Sequence, residues 1–269
     1  MEELREKSIR LIIDTAIKSF ADGFELRHNS EATDPCGTIN SKKNNCFISV
    51  LGDEFIFYSA FVRSFDSSFG NLLESIGNQI AKFSYETNKV IHSYILPEQT
   101  QHISSLLDKY EDHICKPSKA HYENFFVVQP KDTTSFKTKH ICDNWFYDEK
   151  AKTHYLVELK AGGDLDNKKA KSEKIALLKE YFMLKNSISP DEKIMLYFAT
   201  AYNKFGENNV WHQANVERFF ACEELLIGKD YWNFVCNNSE GFDIVFDQYK
   251  KSAEYIKGAL VRIRNKYGC

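Results

Sequence analysis

Three consecutive mid-chain segments restrict the fold more than any other feature of the sequence: HYLVELKA (154–161), SEKIALLKEYFMLKN (172–186) and EKIMLYFAT (192–200). The outer two are short, apolar and rich in strand-forming residues. The middle one spaces Ile175, Leu178 and Phe182 as a helix does. Strand, helix and strand at this length predict a parallel crossover, because a parallel pair needs a long return connection. NFFVVQ (124–129) and KHICDNWFYD (139–148) also read as strands, with residues 149–152 as a hairpin turn into HYLVELKA. The expected fold class is α/β: a small mixed sheet in mid-chain, wrapped by helices from both ends.

The flanks read as helical. Residues 2–22 carry Ile9, Ile12, Ile13, Ala16, Ile17 and Phe20 at helical spacing. Residues 28–45, with Asp34, Pro35 and Gly37, read as a loop, and 46–65 is strongly apolar and aromatic. A helix is expected over 66–95 with Asp66 or Ser67 as its N-cap, and another over 98–114, ended by Pro117. From about residue 211 the pattern is helical again, at 214–226, 230–235 and 242–267. The sequence has no internal repeat, low-complexity tract or linker. One domain over 1–269 is therefore expected, with a helical part (1–120), a sheet core (121–200) and a C-terminal part (201–269).

Hydrophobic residues at 43% and charged residues at 27% exclude a mostly disordered chain. The net charge of −3 carries no overall basic signature, although local patches and not the sum bind nucleic acid. No apolar run approaches the ~18 residues that span a bilayer, so no membrane partner is expected. The N-terminus lacks a signal peptide's apolar core. Seven scattered cysteines without a C-x-x-C pair argue against a disulfide framework or zinc site and point to a reducing cytoplasm. The histidines form no H-E-x-x-H pattern, and His28-Asn29 reads as surface loop rather than a nuclease motif.

Chemistry concentrates at Glu158 and Lys160. Two residues apart on a strand, they share a face, with Tyr155, Val157 and Leu159 pointing the other way into a core. Charges inside an apolar strand are costly unless paired or employed. The hairpin would bring Asp143 of the preceding strand near Glu158, with Asp148 at the hairpin's end as its rival. Two adjacent carboxylates call for a cation, and Mg²⁺ takes such oxygen ligands. Lys160 beside them would stabilise or help deprotonate an attacking water, an arrangement suited to metal-assisted phosphodiester hydrolysis. The plainer alternative is a solvated edge strand. The hairpin context, the apolar strand and the following Gly162-Gly163 favour the chemical reading.

KTKHICD, the hairpin and YLVELK resemble the catalytic core of PD-(D/E)xK nucleases, with Cys142-Asp143 where Pro-Asp is usual. SFDSSFGNLLESIGNQIA, LYFATAYNKFGENNVWHQANVE and EELLIGKDYWNFVCNNSEGFDIVFDQY resemble, in order, segments of the TdeIII-type type II restriction endonucleases. The resemblance runs from about Gly52 to the C-terminus. It implies a homodimeric, Mg²⁺-dependent endonuclease that cuts double-stranded DNA at a short palindrome of the G·C-rich GGNCC kind. A cognate DNA methyltransferase is expected in the same system. The family's catalytic pattern maps onto Asp143, Glu158 and Lys160, its upstream helical acid onto Glu74, and its metal ligands onto Asp143, Glu158 and Leu159.

Two segments are candidates for DNA contact. Lys168, Lys169, Lys171 and Lys174 follow the catalytic strand at a loop and helix N-terminus, where phosphates could bind. Asp164, Asp166 and Glu173 offset part of that charge. The segment 202–218 offers Asn203, Lys204, His212, Gln213, Asn215 and Arg218, side-chain types suited to reading base edges. Competing readings are a repair or structure-selective nuclease, and a non-catalytic DNA-binding protein on the same fold. Retention of Asp143, Glu158 and Lys160 argues against the second.

Overall fold

The computed structural model describes residues 2–127 and 137–268. Along the chain come α1 (Glu2–Glu31), α2 (Cys46–Ser49), α3 (Asp53–Ala81), β1 (Glu86–Ser93), α4 (Pro97–Glu111) and α5 (Ala120–Glu123). There follow β2 (Thr138–Asp148), β3 (Thr153–Lys160), α6 (Asn167–Lys185), β4 (Lys193–Thr200), α7 (Ala214–Glu217), β5 (Leu225–Ile227), α8 (Lys229–Cys236) and α9 (Gly241–Lys266). The chain forms two compact units, Met1–Ile80 with Glu240–Cys269, and Ala81–Ser239. The expected helical part, 1–120, and the expected C-terminal part, 201–269, thus each contribute to both.

In the helical unit, Ile9, Ile13, Ile17, Ala21 and Phe24 make one buried stripe along α1. They pack beside α9, which buries Val245, Ile256, Ala259 and Ile263. The two helices run in the same direction. Asp14 accepts from Ser252 at 2.5 Å, and Glu25 takes a two-pronged hydrogen bond from Arg262 at 2.7–2.9 Å. α1 continues nine residues past the expected end at 22, into the expected loop. The reason is packing: fully buried His28 sits one turn beyond Phe24 and meets its ring edge-to-face, centroids 4.5 Å apart. α3 is continuous through Asp66 and Ser67, so neither is an N-cap. Ile56, Phe57, Ala60 and Phe61 keep helical spacing ahead of them, and Leu72, Leu73, Ile76 and Ile80 continue it.

The helix expected over 66–95 is also too long at its other end. It stops at Ala81, and Glu86–Ser93 is strand β1, in which alternation suits pairing with β2. The sheet has the order β1-β2-β3-β4-β5. β1–β2 and β2–β3 are antiparallel, and β3–β4 and β4–β5 parallel. The hairpin and the crossover are as the sequence predicts, with α6 covering the sheet between β3 and β4. Residues 124–127 form no strand, and the rest of NFFVVQ lies outside the described residues. The expected helix over 214–226 is one turn, α7, followed by the edge strand β5.

β3 is buried on both sides. Leu156, Val157 and Glu158 are all under a tenth exposed. Leu156 joins the core with Leu177, Leu178 and Phe182 of α6. Tyr155 on the opposite face packs against Tyr85 and Phe234. One ion pair lies wholly inside this core: Lys174 of α6 meets Glu224 at 2.5 Å, both essentially unexposed. Tyr122 and the Ala221 N–H also donate to Glu224, each at 2.7 Å. Lys174 is therefore a core residue and not one of the phosphate-facing lysines expected from the sequence.

Candidate active site

The β2–β3 hairpin closes over residues 149–152, with the Asp148 carboxylate accepting the backbone N–H groups of Lys150 and Ala151 at 2.9 and 3.0 Å. That capping role sets Asp148 apart from the carboxylates at the strand ends. Ladder pairing runs from Asp148↔Thr153 to Trp145↔Leu156. The same register, extended, faces Asp143 to Glu158. Here β2 is irregular, for its pairing with β1 shifts between Asn88 and Val90. Asn144 spans the irregularity by donating from its side chain to the Val157 carbonyl at 3.1 Å. Cys142 and Asn144 are buried while Asp143 between them is exposed, the ordinary alternation of a strand.

Glu158 and Lys160 form an ion pair at 2.5 Å, and Lys160 is held from its other side by Glu173 of α6 at 3.0 Å. Burial pushes the Glu158 carboxyl up to about 7, against the pull of Lys160 and with the charges of Glu173 and Asp143 adding to the rise. Burial works against the charge on Lys160, but Glu158 and Glu173 more than restore it, so its pKa lies above the ordinary lysine value. Two turns along α6 from Glu173, Glu180 is also raised to about 7 by burial, with Asp143 contributing. Asp143 thus stands electrostatically between two buried carboxylates.

Glu180 accepts from or donates to His140 across 3.1 Å and has Cys142 as its other neighbour. The ligand atoms of His140, Cys142 and Glu180 lie within 4.8 Å of one another. A thiol and an imidazole suit a softer ion than Mg²⁺. Asp143, Glu158 and the Leu159 carbonyl offer only oxygen, the donor set a hard divalent cation takes. Glu158, raised by burial and by the charges of Glu173 and Asp143, is a carboxylate such a cation relieves, so the residues present fit Mg²⁺.

Sequence reasoning overlooked Glu180, His140 and Cys142, and took Glu173 only as an offset to nearby lysines. The seven-residue spacing of Glu173 and Glu180, two turns of one helix face, was the available signal. Glu74 lies half-buried on α3 in the helical unit. Gly162 and Gly163 answer to their neighbours. A Cβ on Gly162 would meet the Tyr202 hydroxyl at 2.5 Å, and one on Gly163, at φ +69°, would meet Thr200 at 2.6 Å.

Lys168 and Lys169 are exposed at the start of α6, whose cap is Asp166. Lys171 is taken by Asp108 and Glu111 of α4 at 2.8 and 2.5 Å. In the segment 202–218 Asn203 and Gln213 are buried and Asn215 and Arg218 half-buried, while Lys204 and His212 are exposed. Gln213 donates to the Leu165 carbonyl at 2.9 Å, Asn215 to the same oxygen at 3.0 Å, and Arg218 to Asn167 at 2.9 Å. Asn203, 8% exposed, spans its own loop to the Asn209 carbonyl at 2.7 Å. Lys204 pairs with Asp164 at 3.0 Å, and exposed His212 with Glu217 at 2.7 Å. Lys204, Gln213, Asn215 and Arg218 fasten the segment to residues 164–167 beside the candidate site.

A mixed five-stranded sheet flanked by helices, with a carboxylate–lysine pair at the end of its central strand, defines an α/β protein with a buried polar site. A family model for the type II restriction endonuclease HinfI matches residues 5–253, and the chain belongs to that family. It is accordingly a nuclease whose substrate is DNA, cleaved site-specifically. No curated protein and no solved structure matches the chain significantly. No described helix is long and apolar enough to cross a membrane.

Proposed function

We propose that the chain is a Mg²⁺-dependent type II restriction endonuclease built on a PD-(D/E)xK core. Asp143, Glu158 and the Leu159 carbonyl would hold the ion; a role for Glu74 rests on the TdeIII-type resemblance alone. The observation that carries this reading is the Glu158–Lys160–Glu173 chain at the end of β3, with Asp143 close enough to raise Glu158. When bound, the ion would polarise the scissile phosphate and lower the pKa of its water. Lys160, kept protonated by its two carboxylates, serves as a fixed positive charge for the oxyanion developing on phosphorus. Of the two roles open to it from the sequence, this favours stabilisation over proton abstraction. Glu173 sets its position.

The substrate would be duplex DNA at a short palindrome, read by a homodimer whose symmetry matches the site. The TdeIII-type resemblance points to a G·C-rich site of the GGNCC kind, with a companion methyltransferase in the same cytoplasmic system. Exposed Lys168 and Lys169 are the phosphate contacts we favour at the α6 N-terminus. Digestion of a mapped plasmid with Mg²⁺ should give discrete fragments, and chelation should abolish them. Undiminished cutting by Asp143→Ala or Glu158→Gln would overturn the assignment of the site. A smear without fixed ends would favour a structure-selective nuclease.

A further inference from the structure

The helical unit contains a concavity of about 410 Å³ between the end of α1, the following loop and α3. Three cations line it, Arg27, Lys42 and Arg63, and no carboxylate does. Four hydroxyls, of Thr38, Ser64, Ser67 and Ser68, complete its polar wall. Of the neighbouring acids, Glu25 is held by Arg262 and Asp53 by Lys43 at 2.9 Å, while Glu31 accepts the N–H of Thr38 in the pocket wall at 2.8 Å and its charge acts on Arg27. Among the described residues Lys42 and Arg63 make no ion pair. Arg27 bonds only to neutral groups, donating to Ser64 at 2.8 Å and Ser68 at 3.3 Å and meeting His28 at 3.3 Å.

Behind this wall lies His28, fully buried against Phe24 and Phe61 and within 3.2 Å of the Ser64 hydroxyl. Burial, then the charge of Arg27, lowers its pKa to about 4, so it is neutral at ordinary pH. A neutral imidazole fixes the Arg27 and Ser64 groups without adding to or cancelling the charge in front of them. Glu31 offsets part of the charge of Arg27, while Lys42 and Arg63 have no ion pair among the described residues, so the wall keeps a net positive charge and an oxyanion is the ligand that relieves it. Guanidinium forks and hydroxyl donors suit a tetrahedral phosphate.

We propose that this pocket binds a phosphate group, and that in the working enzyme the phosphate is one of the DNA backbone, contacted by the helical unit in addition to the strand-end site. The DNA source rests on the nuclease reading; the phosphate chemistry does not.

Two measurements separate them, both on the full chain. The first is thermal melting in inorganic phosphate against chloride at equal ionic strength. Wild-type protein should be raised by phosphate, and Arg63→Ala and Lys42→Ala should lose that increment while melting like wild type in chloride. The second is the salt dependence of binding to a random-sequence duplex in Ca²⁺. Each variant should flatten the log–log slope by about 0.9, the value for one phosphate contact. Lys7→Ala, on α1 outside the pocket, should change neither. A phosphate increment with unaltered DNA slopes keeps the phosphate site and overturns its DNA source. No phosphate increment and unaltered slopes overturn the proposal, as does an equal slope change in Lys7→Ala. Failure of the nuclease reading would show separately, as cleavage-free DNA with a normal phosphate increment.

Discussion

At the scale of single residues, the side chains that matter most are charged or titratable groups removed from water. Glu158 is 7% exposed and answered by Lys160, which Glu173 also holds. Glu158→Gln keeps the shape and removes the charge. Its melting temperature should stay close to wild type, since Lys160 retains Glu173. Cleavage should fall by more than the roughly 10–100-fold that losing an outer partner of a metal site costs, as measured by single-turnover kinetics.

His28 makes a pH prediction. Its folded pKa, about 4, lies below its ordinary 6.5. The unfolded chain therefore binds the proton first, and stability present above pH 6.5 is lost as pH falls towards 4. The loss is on the order of 3 kcal/mol. Urea unfolding at stepped pH should show it in the wild type and a reduced slope in His28→Phe. Equal slopes would mean that His28 is not held neutral.

At the scale of elements, buried polar ties position what strand and helix patterns alone leave loose. Lys174 fixes α6 to the Cys222–Glu224 turn through Glu224. Lys174→Met leaves that carboxylate buried without its counter-charge, and should cost about 3–5 kcal/mol in chemical denaturation. A loss below 1 kcal/mol would place the pair in water.

Gln213 and Asn215 share the Leu165 carbonyl and so hold the polar segment against the turn after β3. Gln213→Ala should lower stability by about 1–3 kcal/mol before any DNA is added. Melting unchanged with a selective loss of cognate binding would instead give Gln213 a direct role in base reading.

At the scale of the whole molecule, the two units are built differently in sequence. Ala81–Ser239 is continuous and holds the sheet, the α6 crossover and the candidate active site. The helical unit closes only when the two ends of the chain meet, as α1 against α9. A fragment of residues 81–239 should therefore unfold cooperatively on its own, with the circular dichroism of a mixed α/β protein. A fragment of residues 1–80 should not, because Ile9, Ile13 and Ile17 would lose their cover. A non-cooperative 81–239 fragment would make the units interdependent.

The sequence by itself determined the hairpin, the crossover, most of the helices and the Glu158–Lys160 pair, because each rests on local periodicity or on residues two apart in a strand. It could not end the long helix at Ala81, since only pairing with β2 makes Glu86–Ser93 a strand. It could not foresee β5, three residues whose backbone partners lie on β4. Nor could it tell which polar residues of 202–218 face water. Gln213 and Arg218 look like exposed readers in the sequence and turn inward because Leu165 and Asn167, some fifty residues earlier, offer them partners. The tertiary structure alone decided that Glu173 reaches Lys160 at the end of β3 while Glu180 reaches His140 of β2, and that Arg27, Lys42 and Arg63 line one pocket with no carboxylate in its wall. In each case the deciding interaction joins groups distant in sequence, and its energy depends on burial that only the assembled fold creates.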